Sequence, residues 1–267
     1  MFEESFAQSW QLRYGALPPI EAPPLDRFLA HRSVRKYSDR EIPESTVSAL
    51  VAAAQSASTS SSLQLWSVVS VQDPERRERM AVLCDNQNQV RRAPWFLAFL
   101  ADHHRLREAA AKVGEATEGL DYAEFYLMAC VDAALAAERL VCAAESLGIA
   151  VCYIGALRNN PQGVSQELSL PPGVFGVFGL CLGYPHETVT SQIKPRLPQS
   201  SVWFRERYPE EVSIGDYDDR MRAFYESQKM SGDATWSMRS GRRADNHHLT
   251  GREVLREWLE SRGFNRR

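Results

Sequence analysis

The stretch from residue 119 to residue 147 constrains the fold of this chain more than any other segment. Apolar residues recur in it at intervals of three and four, which is the spacing of one face of an α-helix. The members of this face are Tyr122, Phe125, Tyr126, Ala129, Cys130, Ala133, Ala137, Leu140 and Ala144. Alanine lets other elements approach a helix closely, and Gly148 is a typical residue beyond a helix end. We therefore predict one long, buried helix that forms the spine of the fold.

The overall composition is that of an ordinary globular protein. The chain has 267 residues, of which 44% are hydrophobic and 24% are charged, and this length corresponds to one large domain or two small ones. The net charge of −3 argues against a broad nucleic-acid-binding face. No run approaches the ~20 apolar residues that cross a bilayer, and no secretory signal is visible at the N-terminus. We expect a cytoplasmic protein that binds neither nucleic acid nor membrane.

The cysteines and histidines do not form a metal-binding pattern. The five cysteines stand at positions 84, 130, 142, 152 and 181, without a Cys-x-x-Cys pair. Most of them lie in apolar runs, so we predict reduced, buried thiols. The doublets His103-His104 and His247-His248 have polar neighbours, and adjacent side chains rarely point at one ion. We interpret both doublets as surface histidines.

Strand and helix signals alternate irregularly along the chain. β-branched or apolar runs predict strands at 66–71, 95–101, 150–157 and 174–185, and the run at 95–101 has the pattern of a central strand. Helices are predicted from Leu25 to Arg32, after Pro43, after Asp73-Pro74, from Pro161 to Leu168, from Asp216 to Gln228 and from Thr250 to Ser261. Because strict βαβ alternation is missing, we predict an α+β or three-layer fold. No Gly-x-Gly-x-x-Gly follows a predicted strand, so the dinucleotide fingerprint is missing.

Three short segments carry candidate chemistry. In the sequence HRSVR, residues His31, Ser33 and Arg35 would point to one side of an extended chain and Arg32 to the other. This set of donors suits a phosphate, although the pattern alone favours a solvated basic turn. The sequence Lys194-Pro195-Arg196 places two cations on one side of a stiff loop, which suits the same ligand, although basic loops are common. The segment 153–157 is a buried strand that breaks at a glycine, and it is either an ordinary strand end or a source of free backbone donors.

Taken together, these segments resemble a known family. The blocks HRSVRKYSDREIP, SASTSSSLQ, CDNQNQV, AAESLGIAVCYIGALRNNP, FGLCLGYP, IKPRLP and DATWS occur in the order typical of the nitroreductase-like FMN flavoproteins. The resemblance covers about residues 25–262 and is strongest to the branch of the major oxygen-insensitive nitroreductase and the NADPH–flavin oxidoreductases. It implies a three-layer α/β/α fold, with a mainly antiparallel central sheet flanked by helices, in a domain-swapped homodimer.

The resemblance also implies the domain organisation and a cofactor. Residues 1–24 lie outside the resemblance, and the two Pro-Pro pairs in PPIEAPPL, residues 18–25, predict that they form an N-terminal arm with a short helix and an extended connector. Residues 25–267 would form a single FMN-binding domain whose C-terminal extension packs on the partner subunit. The long helix 119–147 would be the central helix of the dimer, and FMN would lie in a pocket made by both subunits.

The same resemblance assigns roles to individual residues. It implies that His31 and Ser33, with Arg32 beside them, contact the phosphate and ribityl chain, and that Lys194 and Arg196 close on the phosphate. Arg35 would lie near N1 and O2 of the flavin and tune it, and Gln87 would bond the same end of the ring. The remaining positions are the backbone segment Tyr153, Ile154, Gly155, Ala156 and Leu157 beside N5, and the partner's serine stretch Ser58, Thr59 and Ser60.

Two segments depart from the family pattern. A basic loop before the Thr-Trp-Ser sequence is associated with the 2′-phosphate of NADPH in relatives. Here that loop contains only Lys229, whereas Arg239 follows Trp236, so either NADPH or NADH could be the electron donor. Residues 109–119 are additional length of unassigned role.

The resemblance predicts an FMN-dependent NAD(P)H oxidoreductase of the nitroreductase, flavin reductase or quinone reductase type. It would use ping-pong hydride transfer through N5 of FMN, with nitroaromatics, quinones or flavins as acceptors. FMN carries the chemistry, so no catalytic side chain and no metal is nominated. Two alternatives stay open: a specialised FMN protein of the same superfamily, acting in dehalogenation or flavin breakdown, and a flavin-binding module without turnover.

Overall fold

The computed structural model describes residues 4–19, 21–230, 234–264 and 267. Contacts divide the chain into two compact units. Met1–Arg32 and Thr190–Leu249 form the helical unit, and Ser33–Val189 and Thr250–Arg267 form the sheet unit.

The sheet unit is built around a four-stranded antiparallel sheet in the described part of the chain. Its strands are β1 (Trp66–Ser70), β2 (Trp95–Asp102), β3 (Ala150–Ile154) and β4 (Val174–Gly183). The strand order is β1-β2-β4-β3, and each neighbouring pair is antiparallel. β2 is an inner strand and is buried along nearly its whole length, as its uniformly apolar sequence predicts. The prediction of a mainly antiparallel central sheet is therefore confirmed.

Helices cover the sheet on both faces. The helices of this unit are α3 (Glu44–Gln55), α4 (Pro74–Leu83), α5 (Asn88–Arg92), α6 (His104–Ala111), α7 (Ala123–Ser146), α8 (Pro161–Glu167) and α11 (Leu255–Ser261). α3 and α7 contribute to the main apolar core with the sheet. On the opposite face, the Cys181 thiol of β4 donates to the carbonyl of Gln89 in α5, and Val164 of α8 lies against Gly176. This arrangement is the three-layer fold that the resemblance implies.

The predicted spine helix is α7, which has 24 residues. Its alanines at 129, 133 and 137 are fully buried. Tyr122, which we assigned to the same face, is instead 47% exposed. The physical reason is that Tyr122 is the N-cap of α7 with extended backbone angles, so its side chain does not follow the helical rotation.

Three helices were not predicted: α5, α6 and, in the helical unit, α10 (Trp236–Ala244). Both α6 and α10 are rich in polar residues and neither buries a residue completely, so neither presents the apolar stripe of a core-facing helix. α6 begins instead because the Asp102 carboxylate accepts the Arg105 backbone N–H over 3.1 Å. α10 begins at Thr235, whose hydroxyl accepts the Met238 N–H.

One of the histidine predictions is wrong. His103 is fully buried, because its ring lies 4.5 Å from the ring of Phe264 and its Nε2 lies 3.0 Å from the carbonyl oxygen of Phe125. Burial lowers the pKa of His103, so the neutral ring donates from Nε2. His247 and His248 are exposed, as predicted. Among the described residues no group of three potential ligands could hold a metal ion.

The cysteines are free thiols, and those at 84, 152 and 181 are buried. Burial raises the pKa of Cys84 to about 12, which makes it a poor nucleophile at neutral pH. A search of the described residues finds no helix long and apolar enough to span a membrane.

The helical unit contains α1 (Phe6–Tyr14), α2 (Asp26–Leu29), α9 (Tyr217–Ser227) and α10. α1 begins with a capping box between Ser5 and Gln8 and ends at Gly15, which has φ of 71°. α9 and α10 pack through aromatic side chains, and the ring centroids of Tyr217 and Trp236 are 5.4 Å apart. The described part of the predicted N-terminal arm is thus a capped helix followed by residues without regular structure.

Candidate functional site

In the sheet unit, the segment 33–35 lies alongside β3. Ser33 and Arg35 are exposed and Val34 is fully buried, which is the alternation that the sequence predicts for an extended chain. The Val34 N–H donates to the Val151 carbonyl over 3.0 Å. Burial raises the pKa of Cys152, and the positive charge of Arg35 opposes this rise. Arg35 is therefore close to the strand that leads into residues 153–157.

The segment 153–157 ends β3 and continues as a 3₁₀ turn over Gly155–Arg158. Ile154, Ala156 and Leu157 are buried, so the backbone of the turn is anchored by its own side chains. The guanidinium of Arg252 donates to the Gly155 carbonyl over 3.1 Å and to the Asn159 side chain over 2.8 Å. The break at glycine is therefore a rigid turn. Arg252 was not predicted, because nothing in its local sequence indicates a contact almost 100 residues away.

Tyr153 is the one side chain of this segment that reaches the surface to a marked extent, with 37% exposure. Its hydroxyl donates to the Glu138 carboxylate of α7 over 3.2 Å, and its ring meets the edge of Phe178. Desolvation, together with the neighbouring Glu138, raises the pKa of Tyr153, so the phenol stays protonated near neutral pH.

The serine stretch Ser58–Ser60 follows α3 and leads into a strained loop. Ser61, Ser62 and Gln64 all have positive φ angles, of 50°, 56° and 52°. Residues other than glycine cost on the order of 1–3 kcal/mol each in this conformation, so the surrounding structure must stabilise the loop. The fully buried Asp132 of α7 does so, because its carboxylate accepts the N–H groups of Ser60 and Leu65 over 3.0 Å each.

Asp132 is a second residue that sequence reasoning missed. A signal was available, because an aspartate in the Ala-rich part of α7 is expensive to bury unless backbone donors surround it. The sequence could therefore have predicted that Asp132 accepts hydrogen bonds from the backbone of a loop, although not which loop.

Gln87 is the N-cap of α5 and follows Asp85 and Asn86, which have φ of 63° and 57°. Its side-chain oxygen accepts a hydrogen bond from the Gln89 amide over 2.5 Å. The Gln87 side chain is half-buried, and its orientation is fixed by its own helix.

In the helical unit, the loop 193–196 holds the two predicted cations. Lys194 and Arg196 are exposed, whereas Ile193 and Pro195 are buried. This alternation places both cations on the exposed side of the loop, as the sequence predicts. The bonds of the Arg196 guanidinium to described residues go to the Lys194 and Pro195 carbonyls, at 3.2 and 3.3 Å. Its charge is therefore not neutralised by a carboxylate of the described residues.

His31 and Arg32 belong to the same unit and differ in their surroundings. His31 is half-buried, and its carbonyl accepts a hydrogen bond from Arg13 over 2.8 Å. Arg32 is only 7% exposed and forms a two-pronged ion pair with Glu4, at 2.7 and 3.0 Å. The Arg32 guanidinium thus links Glu4 to this segment, a contact that the sequence did not suggest.

The two candidate residues for the nicotinamide nucleotide also differ. Arg239 of α10 lies 4.3 Å from the ring centroid of Tyr225 in α9, so its side chain is part of the packing between these helices. Lys229 is exposed at the end of α9. Residues 231–233 of the same loop lie outside the described residues.

Comparison with known proteins identifies the class. The model of the nitroreductase family matches residues 29–184, and that of the family's C-terminal domain matches residues 194–267. These matches span most of the sequence, and the chain belongs to the nitroreductase family.

Individual relatives extend this result. An FMN reductase (NADPH) of Bacillus subtilis is 34% identical over 251 residues, which cover 91% of this chain and 98% of that protein. An oxygen-insensitive NADPH nitroreductase of Salmonella typhimurium is 35% identical over 76% of this chain and 83% of its own length. The solved structure of a Bacillus subtilis nitroreductase matches with a TM-score of 0.83 and 33% identity, over 90% of this chain and 98% of that one. A Vibrio harveyi NADPH:FMN oxidoreductase, solved in complex with NAD⁺, matches with a TM-score of 0.79 and 34% identity, over 90% of this chain and 98% of that one. The predicted family, fold and oxidoreductase class are confirmed.

Proposed function

We propose that this protein is an FMN-dependent NAD(P)H oxidoreductase with a ping-pong cycle, and that nitroaromatics, quinones or free flavins are its acceptors. The observation that carries the proposal is the exposed pair Lys194 and Arg196 on a loop whose alternate residues are buried. The relatives named FMN reductase and NADPH nitroreductase support the same activity.

The donor set fits FMN on chemical grounds. Lys194 and Arg196 offer charge-assisted hydrogen bonds to a phosphate, and Arg196 is not paired with a carboxylate of the described residues. We assign the phosphate to these two cations with His31 of the same unit, and we assign Arg32 the supporting position that its ion pair with Glu4 gives it. When bound, FMN supplies the hydride chemistry by accepting a hydride from NAD(P)H and passing it to the acceptor.

The chain's own residues then bind and orient the ring. Arg35, exposed beside β3, would stabilise negative charge at the pyrimidine end of the flavin. The rigid turn 153–157 would present backbone groups to the other edge, and Gln87 would add a side-chain contact. The stretch 58–60 of a second subunit, held in shape by Asp132, would complete the pocket. Lys229 and Arg239 are proposed contacts of the nicotinamide nucleotide, and a cytoplasmic location stays a prediction.

The test is anaerobic stopped-flow mixing of the FMN-loaded protein with NADPH and, separately, with NADH. We expect at least one of them to bleach the flavin on the order of seconds or faster, since typical turnover numbers are 1–10³ s⁻¹. Slow bleaching by both would favour the specialised flavoprotein of the same superfamily. A purified protein that binds no FMN at micromolar concentration would contradict the proposal altogether.

We also propose that the protein is a homodimer in which α7 lies at the interface. Leu127, Val131 and Leu135 are spaced by one helical turn on α7, and they are 59%, 45% and 45% exposed. They form an apolar stripe on the helix side that faces away from the buried alanines. A second copy of the same helix would cover this stripe with matching apolar surface.

Val131→Glu is expected to convert the dimer to a monomer in sedimentation velocity, because it would bury a carboxylate against an apolar partner face. The matched control is Val82→Glu on α4, where the original valine is 58% exposed outside the stripe. The control should sediment like the unmodified protein. A dimer that persists in Val131→Glu would place the interface elsewhere.

A further inference from the structure

The last turn of helix α1 contains a residue, Arg13, that contacts several parts of the proposed phosphate site. Arg13 is only 5% exposed, although it is charged. Its Nε donates to the Leu29 carbonyl over 2.8 Å and its Nη2 to the His31 carbonyl over 2.8 Å. Its Nη1 donates to the Lys194 carbonyl over 3.4 Å. One guanidinium thus connects the segment that contains His31 with the loop that contains Lys194 and Arg196.

The backbone of Arg13 makes a second set of bonds to the same loop. Its carbonyl accepts the Arg196 N–H over 2.9 Å and the Arg220 Nη1 over 2.8 Å. Arg220 also donates to the Arg196 carbonyl, at 3.3 Å. Residues 194 and 196 are therefore fixed from the backbone side, which leaves their cationic side chains at the surface.

Helix α1, residues 6–14, lies outside the ranges 29–184 and 194–267 that the family models match. The contacts of Arg13 are therefore made by a segment of this chain to which the family match assigns no role. The planar guanidinium suits this task, because it presents five donors in a fixed geometry and can bridge several carbonyls at once.

We propose that Arg13 is a positioning residue that holds His31 and the 194–196 loop in the geometry that recognises the FMN phosphate. The inference rests on the proposed function, because it assumes that these cations bind the flavin phosphate. Arg13 itself donates to backbone carbonyls and leaves contact with the phosphate to its neighbours. Binding of the phosphate monoester therefore depends on Arg13. Binding of the isoalloxazine ring does not.

The experiment compares the dissociation constants of FMN and riboflavin, which differ by the phosphate alone, in the wild type, Arg13→Met and Arg13→Lys. We expect both variants to bind FMN about tenfold more weakly, the size of one lost charge-assisted contact, with riboflavin affinity unchanged. Lysine retains the charge but cannot reach the three carbonyls together. In flavin-free protein, the amide hydrogens of Lys194, Arg196 and Leu197 should exchange faster in both variants. The Arg196 N–H donates to the Arg13 backbone carbonyl, and loss of the guanidinium bonds leaves that carbonyl less firmly held.

The matched control is Arg77→Met in the sheet unit, where a half-buried guanidinium donates to the carbonyls of Ala93 and Pro94. It should leave the ratio of the two dissociation constants unchanged. The inference is wrong if Arg13→Met keeps the wild-type ratio, if it weakens both flavins equally, or if Arg13→Lys restores FMN affinity. A wild type that binds FMN no better than riboflavin would instead contradict the proposed phosphate site, so the two failures are distinguishable.

Discussion

Replacing both Lys194 and Arg196 by alanine is expected to weaken FMN binding by about 10²–10⁴-fold. Each charge-assisted contact contributes about 1.5–3 kcal/mol, and a factor of ten corresponds to about 1.4 kcal/mol. The two contacts share one ligand, so their effects need not add fully, and the single variants are expected to lose about 10–100-fold each. Fluorescence titration of the flavin-free protein gives the dissociation constants directly.

The control for this experiment is Arg205→Ala, in the same unit. Arg205 is exposed and lies 5.8 Å from the ring centroid of Trp203, and it is outside the proposed site. The Arg205→Ala substitution removes a positive charge without changing the 194–196 loop. It therefore distinguishes the loss of a specific contact with the phosphate from a general electrostatic effect on FMN binding. Retention of FMN by the double variant through gel filtration, with wild-type affinity, would mean that the phosphate binds elsewhere.

Gly179→Ala is expected to destabilise the protein by about 2–3 kcal/mol, because an added methyl group would overfill the centre of the sheet. Gly179 lies in β4 between Ala98 of β2 and Ile154 of β3. A Cβ at this position would lie 2.5 and 2.6 Å from ring atoms of Phe96, and 3.2 Å from the Cβ of Ile154. Phe96 is fully buried, so its ring has no free space into which to move. The expected decrease in melting temperature is about 5–10 °C.

The matched control is Gly241→Ala, where a Cβ would have no neighbour within 4 Å. Gly241 lies inside α10, and alanine is favoured over glycine in a helix by about 1 kcal/mol. The control is therefore expected to leave the melting temperature unchanged or slightly higher. Equal melting temperatures for Gly179→Ala and the wild type would show that the ring of Phe96 can move aside.

The sequence determined the main elements because their signals are local. The period of α7, the apolar run of β2 and the start of α4 after Asp73-Pro74 are properties of neighbouring residues, and the structure contains all three. The helices α6 and α10 were missed because they bury no residue completely. His103 was misplaced because its burial depends on Phe264, which is far away in the sequence.

The candidate site also has one part that could be predicted from the sequence and one part that could not. The alternation at 33–35 and at 193–196 could be predicted, since burial in an extended segment follows a period of two. The residues that fix the segments of the candidate site could not be predicted. Arg13, Asp132 and Arg252 act on backbone groups that lie between 16 and 181 residues away. Backbone donors and acceptors are the same at every position, so no sequence pattern shows which of them a distant side chain will meet. The sequence by itself thus determined which side chains could carry the chemistry, and only the tertiary structure decided which residues hold them in place.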